Sequence, residues 1–135
     1  MRFVLIGAMG ARLYGFPRMT ADADIAPARD AENLERLADA LHELNARVYT
    51  ESVPEGLPFD VSAKALDRAN LWNLVTDGGR LDIIFTPAGT RGFDDLAPRA
   101  ERFEVYGDTL LVARLEDILR SKVAAPFPAA SIQFL

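Results

Sequence analysis

Thr20-Ala21-Asp22-Ala23-Asp24-Ile25 is the stretch on which the fold turns. Acid alternating with alanine and closing on a β-branched residue predicts a strand, and a strand aims alternate side chains at one face. Asp22 and Asp24 therefore point the same way. Two like charges held that close repel and raise one another's pKa, so the pair persists most readily where a divalent cation sits against it. The pair predicts a metal site.

A third carboxylate sharpens this. Leu81-Asp82-Ile83-Ile84-Phe85 is a short apolar run of buried-strand type, and Asp82 is its one charge. A carboxylate buried without a partner must be coordinated, paired or neutralised. Asp22 and Asp24 are its candidate companions.

Working outward, residues 2–6 predict a strand, and residues 7–13 a tight turn opening a short helix that ends at Gly15, with Pro17 forbidding its continuation. Residues 19–26 predict the strand that carries the paired aspartates, closed by Pro27. Residues 31–45 predict a helix with Leu34, Leu37, Ala38, Leu41 and Leu44 on one face and Asp30 as its cap. Val48 and Tyr49 suggest a strand, Pro54, Gly56 and Pro58 a loop, and residues 62–68 a short helix. Residues 71–76 and 81–85 predict a hairpin, since the intervening Asp77-Gly78-Gly79-Arg80 adopts positive φ at little cost. A short helix is expected over 93–100, a turn at Gly107, a strand over 109–112, and a helix over 114–122 with Leu115, Ile118 and Leu119 on its apolar face. Lys122 extends that face, where a lysine must either snorkel or meet an anion. The expected architecture is α/β of the α+β kind, a mixed sheet flanked by helices, over residues 1–123, with 124–135 a tail or edge strand.

With 135 residues, half of them hydrophobic, the chain suits one domain with a real core, and no second domain is expected. A net charge of -5 and a pI near 4.8 argue against a broad basic face for nucleic acid. A local basic groove, or a small phosphorylated ligand carried with a metal, stays compatible. The chain has no cysteine, which removes disulfides and thiolate metal sites and allows a reducing compartment without requiring one. A cytoplasmic location is expected. His42, the single histidine, is expected to be a boundary residue without chemistry, so any metal ligands are oxygens, which suit magnesium or manganese. The apolar residues 3–9 after Arg2 only faintly resemble a cleavable signal, because Arg12 interrupts the run. No stretch reaches the roughly 18 apolar residues of a membrane span, so no membrane partner is expected. No repeat or heptad array supports a fibrous role.

The order of strand, glycine turn, helix, Asp-x-Asp strand and later a lone Asp on a strand resembles the DNA polymerase β-like nucleotidyltransferase superfamily, in particular its small bacterial members. The matching residues are Val4-Leu5-Ile6-Gly7-Ala8, then Gly15-Phe16-Pro17-Arg18-Met19-Thr20-Ala21-Asp22-Ala23-Asp24-Ile25, then Leu81-Asp82-Ile83-Ile84. Leu115-Glu116-Asp117-Ile118-Leu119-Arg120-Ser121-Lys122 is similar to a helix of the toxin and antitoxin nucleotidyltransferases, so the likeness runs over residues 3–122.

The resemblance implies that Asp22 and Asp24 bind magnesium or manganese ions gripping the phosphates of an NTP, with Asp82 sharing one ion and helping to deprotonate an acceptor hydroxyl. It implies nucleotide contacts from Gly7 and Ala8 in the turn, from Arg18 and Thr20 before the aspartates, and from Lys122. Arg12 is read as a solvated charge. The chain departs from the family at the turn, where Gly-Gly or Gly-Ser is usual and this sequence has Gly7-Ala8. A hydroxyl contact is lost, while the Ala8 N–H remains. The implied activity is transfer of an NMP from an NTP to a hydroxyl of a protein, an RNA or a small molecule. The alternative is a regulatory, antitoxin-type binding module of the same fold, with a partner protein from a two-component system and weak or no catalysis. A metal phosphohydrolase using the same carboxylates is a third reading, for which no histidine cluster or loop nucleophile is present.

Overall fold

The computed structural model describes residues 1–15 and 22–125. Arg18, Thr20, the first part of the expected aspartate strand and residues 126–135 of the expected tail lie outside the described residues.

The chain opens with strand β1 (Phe3–Ile6), which passes directly into helix α1 (Gly7–Leu13). Strand β2 (Asp22–Pro27) carries both aspartates and keeps Pro27 as its last residue, opposite Phe3. Helix α2 (Ala31–Glu43) follows, capped as expected by Asp30, whose side chain accepts from the Asn33 N–H. It stops before Asn45, which takes a left-handed φ of 54°. Strand β3 (Arg47–Val48), helix α3 (Ala63–Leu66), strand β4 (Leu71–Thr76) and strand β5 (Gly79–Ile84) complete the first half. The β4–β5 hairpin is tighter than expected. Thr76 pairs with Gly79, so the loop is Asp77-Gly78 and Arg80 belongs to the strand.

Residues 93–100 form helix α4 (Phe93–Leu96) and then a 3-10 turn (Ala97–Arg99) with Pro98 in its first positions, where a missing N–H costs little. Strand β6 (Glu101–Val105) was not anticipated in the sequence: its charged Glu101, Arg102 and Glu104 mask the alternation, and as a sheet edge it has little to bury. It pairs with strand β7 (Asp108–Val112) through Tyr106-Gly107, both at positive φ, as a two-residue hairpin turn requires. Helix α5 (Leu115–Ala124) runs two residues past the expected end, so Ala124 is helical rather than the start of a tail. Ile118 is buried on it, but Leu119 is 47% exposed and does not share the apolar face assigned to it.

The sheet has seven strands in the order β3-β4-β5-β2-β1-β7-β6. It is mixed: β2 pairs parallel with β5 and β1 with β7, while β1–β2, β3–β4, β4–β5 and β6–β7 are antiparallel. Alternate residues of the central strands feed two cores. On one side Leu5, Ile25, Leu74 and Ile83 pack with Leu34, Leu37 and Leu41 of α2. On the other, Val4, Ile6 and Ala26 pack with Leu96 of α4 and Ile118 of α5. Each fully buried leucine contributes about 2 kcal/mol of transfer free energy. Asn33, buried at the start of α2, accepts from the Arg2 N–H and donates to the carbonyls of Arg2 and Ala28, which ties α2 to the opening of β1.

The second core is closed by charge as well. Asp95 of α4 and Asp117 of α5 are both buried. Arg99 reaches Asp95 at 3.0 Å and Asp117 at 3.1 Å, and Arg120 reaches them at 3.1 and 3.3 Å. The Arg91 backbone N–H, then the Arg99 hydrogen bond and the nearby guanidinium charges, hold the Asp95 carboxyl down at about 2, against the opposing effect of burial. A depressed carboxyl contributes stability that is complete above its unfolded pKa of about 4 and is lost as pH falls through its folded value. Asp117→Ala should destabilise the fold by roughly 3 kcal/mol, read from urea unfolding at pH 7, because Arg99, Arg114 and Arg120 lose a buried partner. The gap in stability between wild type and Asp95→Asn should close as pH falls from 4 toward 2, and a gap that stays constant over that range would contradict this role.

Candidate active site

The acidic site lies where β1 gives way to α1. Ile6 is opposite Asp24 on β2, and Asp24 is opposite Asp82 on β5. Because Ile6 belongs to the core beneath α4 and α5, Asp24, Asp82 and, two residues along, Asp22 all stand on that side of the sheet. Parallel pairing of β2 with β5 fixes this: a slip of one residue would send Asp24 or Asp82 to the α2 side.

Gly7 completes the corner. Its φ of 69° lets the chain turn straight from strand to helix, and a β-carbon there would overlap the Asp24 carboxylate. Glycine is needed for both the turn and the close approach. Ala8 is half-buried in the first turn of α1, and Lys122 is half-buried in the last turn of α5, on the same side of the sheet as the carboxylates.

Asp24 and Asp82 meet. Asp24 is raised to about 7, mostly by burial, then by the Asp82 charge, the hydrogen bond to Asp82 and the Asp22 charge, with Arg80 opposing. Asp82 is also raised, chiefly by burial and further by Asp22, while Arg80 and the hydrogen bond from Asp24 act the other way. Near neutrality the pair thus shares a proton, with Asp24 as donor and Asp82 as acceptor. Asp22 is half-buried and is paired in register with Arg80, not with another acid. The expected cluster of three ligands is accordingly looser than the sequence suggests: among the described residues, no three His, Cys, Asp or Glu side chains gather to hold a metal ion. Asp24 and Asp82 are the two carboxylates in direct contact, and Asp22 acts on both through its charge.

These residues fit a hard cation on one observation. Asp82 Oδ1 is buried and accepts no hydrogen bond from the protein, so a lone pair faces inward unspent. Carboxylate oxygens with no nitrogen or sulfur donor suit magnesium or manganese.

Arg80 belongs to the site although the sequence places it in the hairpin turn. It lies two residues before Asp82 on the same strand face, its Nη2 3.8 Å from Asp82 Oδ1 and its guanidinium 3.6 Å from the Tyr49 ring centre. The spacing Arg80-x-Asp82 is visible in the sequence, but β5 begins at Gly79, two residues before the expected start at Leu81. His42 behaves as expected: it is exposed, and its Nε2 lies 2.8 Å from the Val61 carbonyl oxygen.

No protein-family model matches the chain, and no curated protein matches it. Among solved structures it is similar to a "putative nucleotidyltransferase" from Thermotoga maritima, with a TM-score of 0.56 and 18% identity over 90% of this chain and 71% of the other. The fold is nucleotidyltransferase-like. At that identity the likeness speaks for the architecture, a seven-stranded mixed sheet flanked by helices, and not for the chemistry. Among the described residues no helix of this nucleotidyltransferase-like fold is long and apolar enough to cross a membrane.

The proton on Asp24 gives the site a pH signature. A carboxyl whose folded pKa is raised favours folding fully below the unfolded value of about 4, and that contribution is lost as pH rises through the folded value. In metal-free buffer, wild-type stability should therefore fall relative to Asp24→Asn as pH rises from 4 to 7; parallel curves for the two proteins would show that Asp24 carries no such proton. Gly7→Ala should destabilise the fold by about 1 to 3 kcal/mol, from the left-handed φ and the displaced carboxylate together.

Proposed function

We propose that this chain is a magnesium- or manganese-dependent nucleotidyltransferase, moving an NMP from an NTP to a hydroxyl on a protein, an RNA or a small molecule. The observation that carries the reading is the in-register contact of Asp24 and Asp82 beside Gly7, on a nucleotidyltransferase-like fold. Asp24 and Asp82 would hold the cation, with Asp22 adding charge from the next position on the same face. A bound divalent ion would supply Lewis-acid stabilisation of the attacking and leaving oxygens, which is most of what nucleotidyl transfer asks of a protein.

The protein's own groups do the remainder. Gly7 has no side chain to displace the Asp24 carboxylate, and its backbone is a proposed phosphate contact. Asp82, the acceptor member of the pair, takes the proton of the acceptor hydroxyl as its oxygen bonds to the α-phosphorus and pyrophosphate departs. Ala8, through its N–H, and Arg18, Thr20 and Lys122 are proposed nucleotide contacts. Arg18 and Thr20 lie beyond the described residues, so they rest on the sequence alone.

One observation favours a second reading. Ala8 stands where a hydroxyl or a second glycine is usual in the family that the sequence resembles, and such a loss suits a binding module that has given up turnover. In that case the chain is an antitoxin-type partner of another protein.

Labelled NTPs separate the two. Incubated with magnesium and candidate acceptors, the wild-type protein should transfer label from at least one NTP, and Asp82→Asn or Asp24→Asn should reduce transfer by about a hundredfold or more. No transfer, together with a stable complex with a co-encoded protein that survives both substitutions, would overturn the enzymatic reading in favour of the binding module.

A further inference from the structure

Among the described residues, the buried side-chain polar atoms without a hydrogen-bond partner are Arg80 Nε and Asp82 Oδ1. One is an unspent donor on a cation and the other an unspent acceptor on an anion, in the same site. They do not satisfy each other: Arg80 Nη2 stops 3.8 Å from Asp82 Oδ1, beyond hydrogen-bond reach. The guanidinium instead lies over the Tyr49 ring, 3.6 Å from its centre. Strand pairing leaves little freedom at the root of the side chain, since Arg80 is opposite Asp22 on β2 and Val75 on β4.

Buried donors and acceptors left open in a folded protein point to a partner that the fold expects. A cation alone would satisfy Asp82 and leave Arg80 Nε open. A free anion would satisfy Arg80 but meet the charges of Asp22 and Asp82. One kind of ligand meets both needs: a divalent cation that brings its own phosphate, with the metal toward the carboxylate and a phosphate oxygen toward the guanidinium.

We infer that Arg80 is a substrate-binding residue of this site, which grips a phosphate oxygen of a metal-bound polyphosphate and is held ready for it by stacking on Tyr49. The inference rests on the metal-dependent reading above and deepens it. It makes binding ordered, because the anion is accepted only with its cation.

Calorimetric titration tests this without any turnover. The probes are Mg2+ alone and inorganic tripolyphosphate with and without Mg2+, and the proteins are wild type, Arg80→Gln, Arg80→Lys and Asp82→Asn. Wild type should bind tripolyphosphate only when Mg2+ is present. Arg80→Gln should lose at least about tenfold in affinity for Mg-tripolyphosphate while binding Mg2+ alone as well as wild type or better, since a neighbouring positive charge is gone. Arg80→Lys, which keeps the charge but not the planar fork, should fall between, and it carries the test if Arg80→Gln does not fold. Asp82→Asn should lose both ligands.

If wild type binds Mg-tripolyphosphate and Arg80→Gln, or Arg80→Lys in its place, binds it equally well, the inference about Arg80 fails and the metal site stands. If Arg80→Gln loses Mg2+ and Mg-tripolyphosphate alike, Arg80 merely supports the carboxylates and the inference also fails. If wild type binds neither probe, the metal-dependent reading falls and takes this inference with it.

Discussion

The contact between Asp24 and Asp82 is the constraint around which the rest of the molecule is arranged. Two carboxylates meeting on adjacent strands are costly, and the fold accepts the cost at the end of the β1–β2 ladder, where Ile6 is opposite Asp24 and Asp24 is opposite Asp82. Hydrophobic residues on either side of them, Ile25 and Ile83 on one face and Ile6 and Ala26 on the other, supply the burial that keeps the strands in register. That same burial is the largest cause of the raised pKa of each acid. Stability and electrostatic tension thus come from one arrangement, as is usual where a protein spends folding energy to prepare a site.

The surrounding parts follow from that contact. Gly7 is glycine because Asp24 occupies the space a side chain would need. Arg80 eases the acidic charge without neutralising it, because Tyr49 holds part of its guanidinium surface. Farther off, the buried Asp95 and Asp117 show the contrasting treatment: their carboxylates are met by arginines at hydrogen-bond distance, and Asp95 is driven down rather than up. Burial of an acid therefore does not by itself mark a site here. What separates the two clusters is whether the buried oxygens are satisfied, and Asp82 Oδ1 is not.

Much of this was legible in the sequence. The Asp-x-Asp alternation, the isolated Asp82, the Gly7 turn, the amphipathic 31–45 helix and the Asp-Gly hairpin each follow from local rules, and each has its counterpart in the structure. What escaped had non-local causes. Strand β6 is charged because it is an edge, so its pattern carries little hydrophobic signal. Leu119 sits four residues after Leu115, but the buried face of α5 is centred on Asp117 and Ile118 and leaves Leu119 exposed. Arg80 was hidden by a two-residue uncertainty in where β5 begins, which is enough to move a side chain from a turn into a site. The pairing of Asp82 with Asp24 rather than Asp22 depends on strand register, which only the assembled sheet sets.

The central claim is that Asp24 and Asp82 hold a proton where a divalent cation belongs. Infrared difference spectroscopy of the carboxyl groups near pH 6 addresses it directly. The account predicts a protonated carboxyl band in metal-free wild type that is absent from Asp24→Asn and disappears when Mg2+ or Mn2+ is added, with release of the proton to the buffer. A spectrum without that band, or a band indifferent to saturating metal, would contradict it.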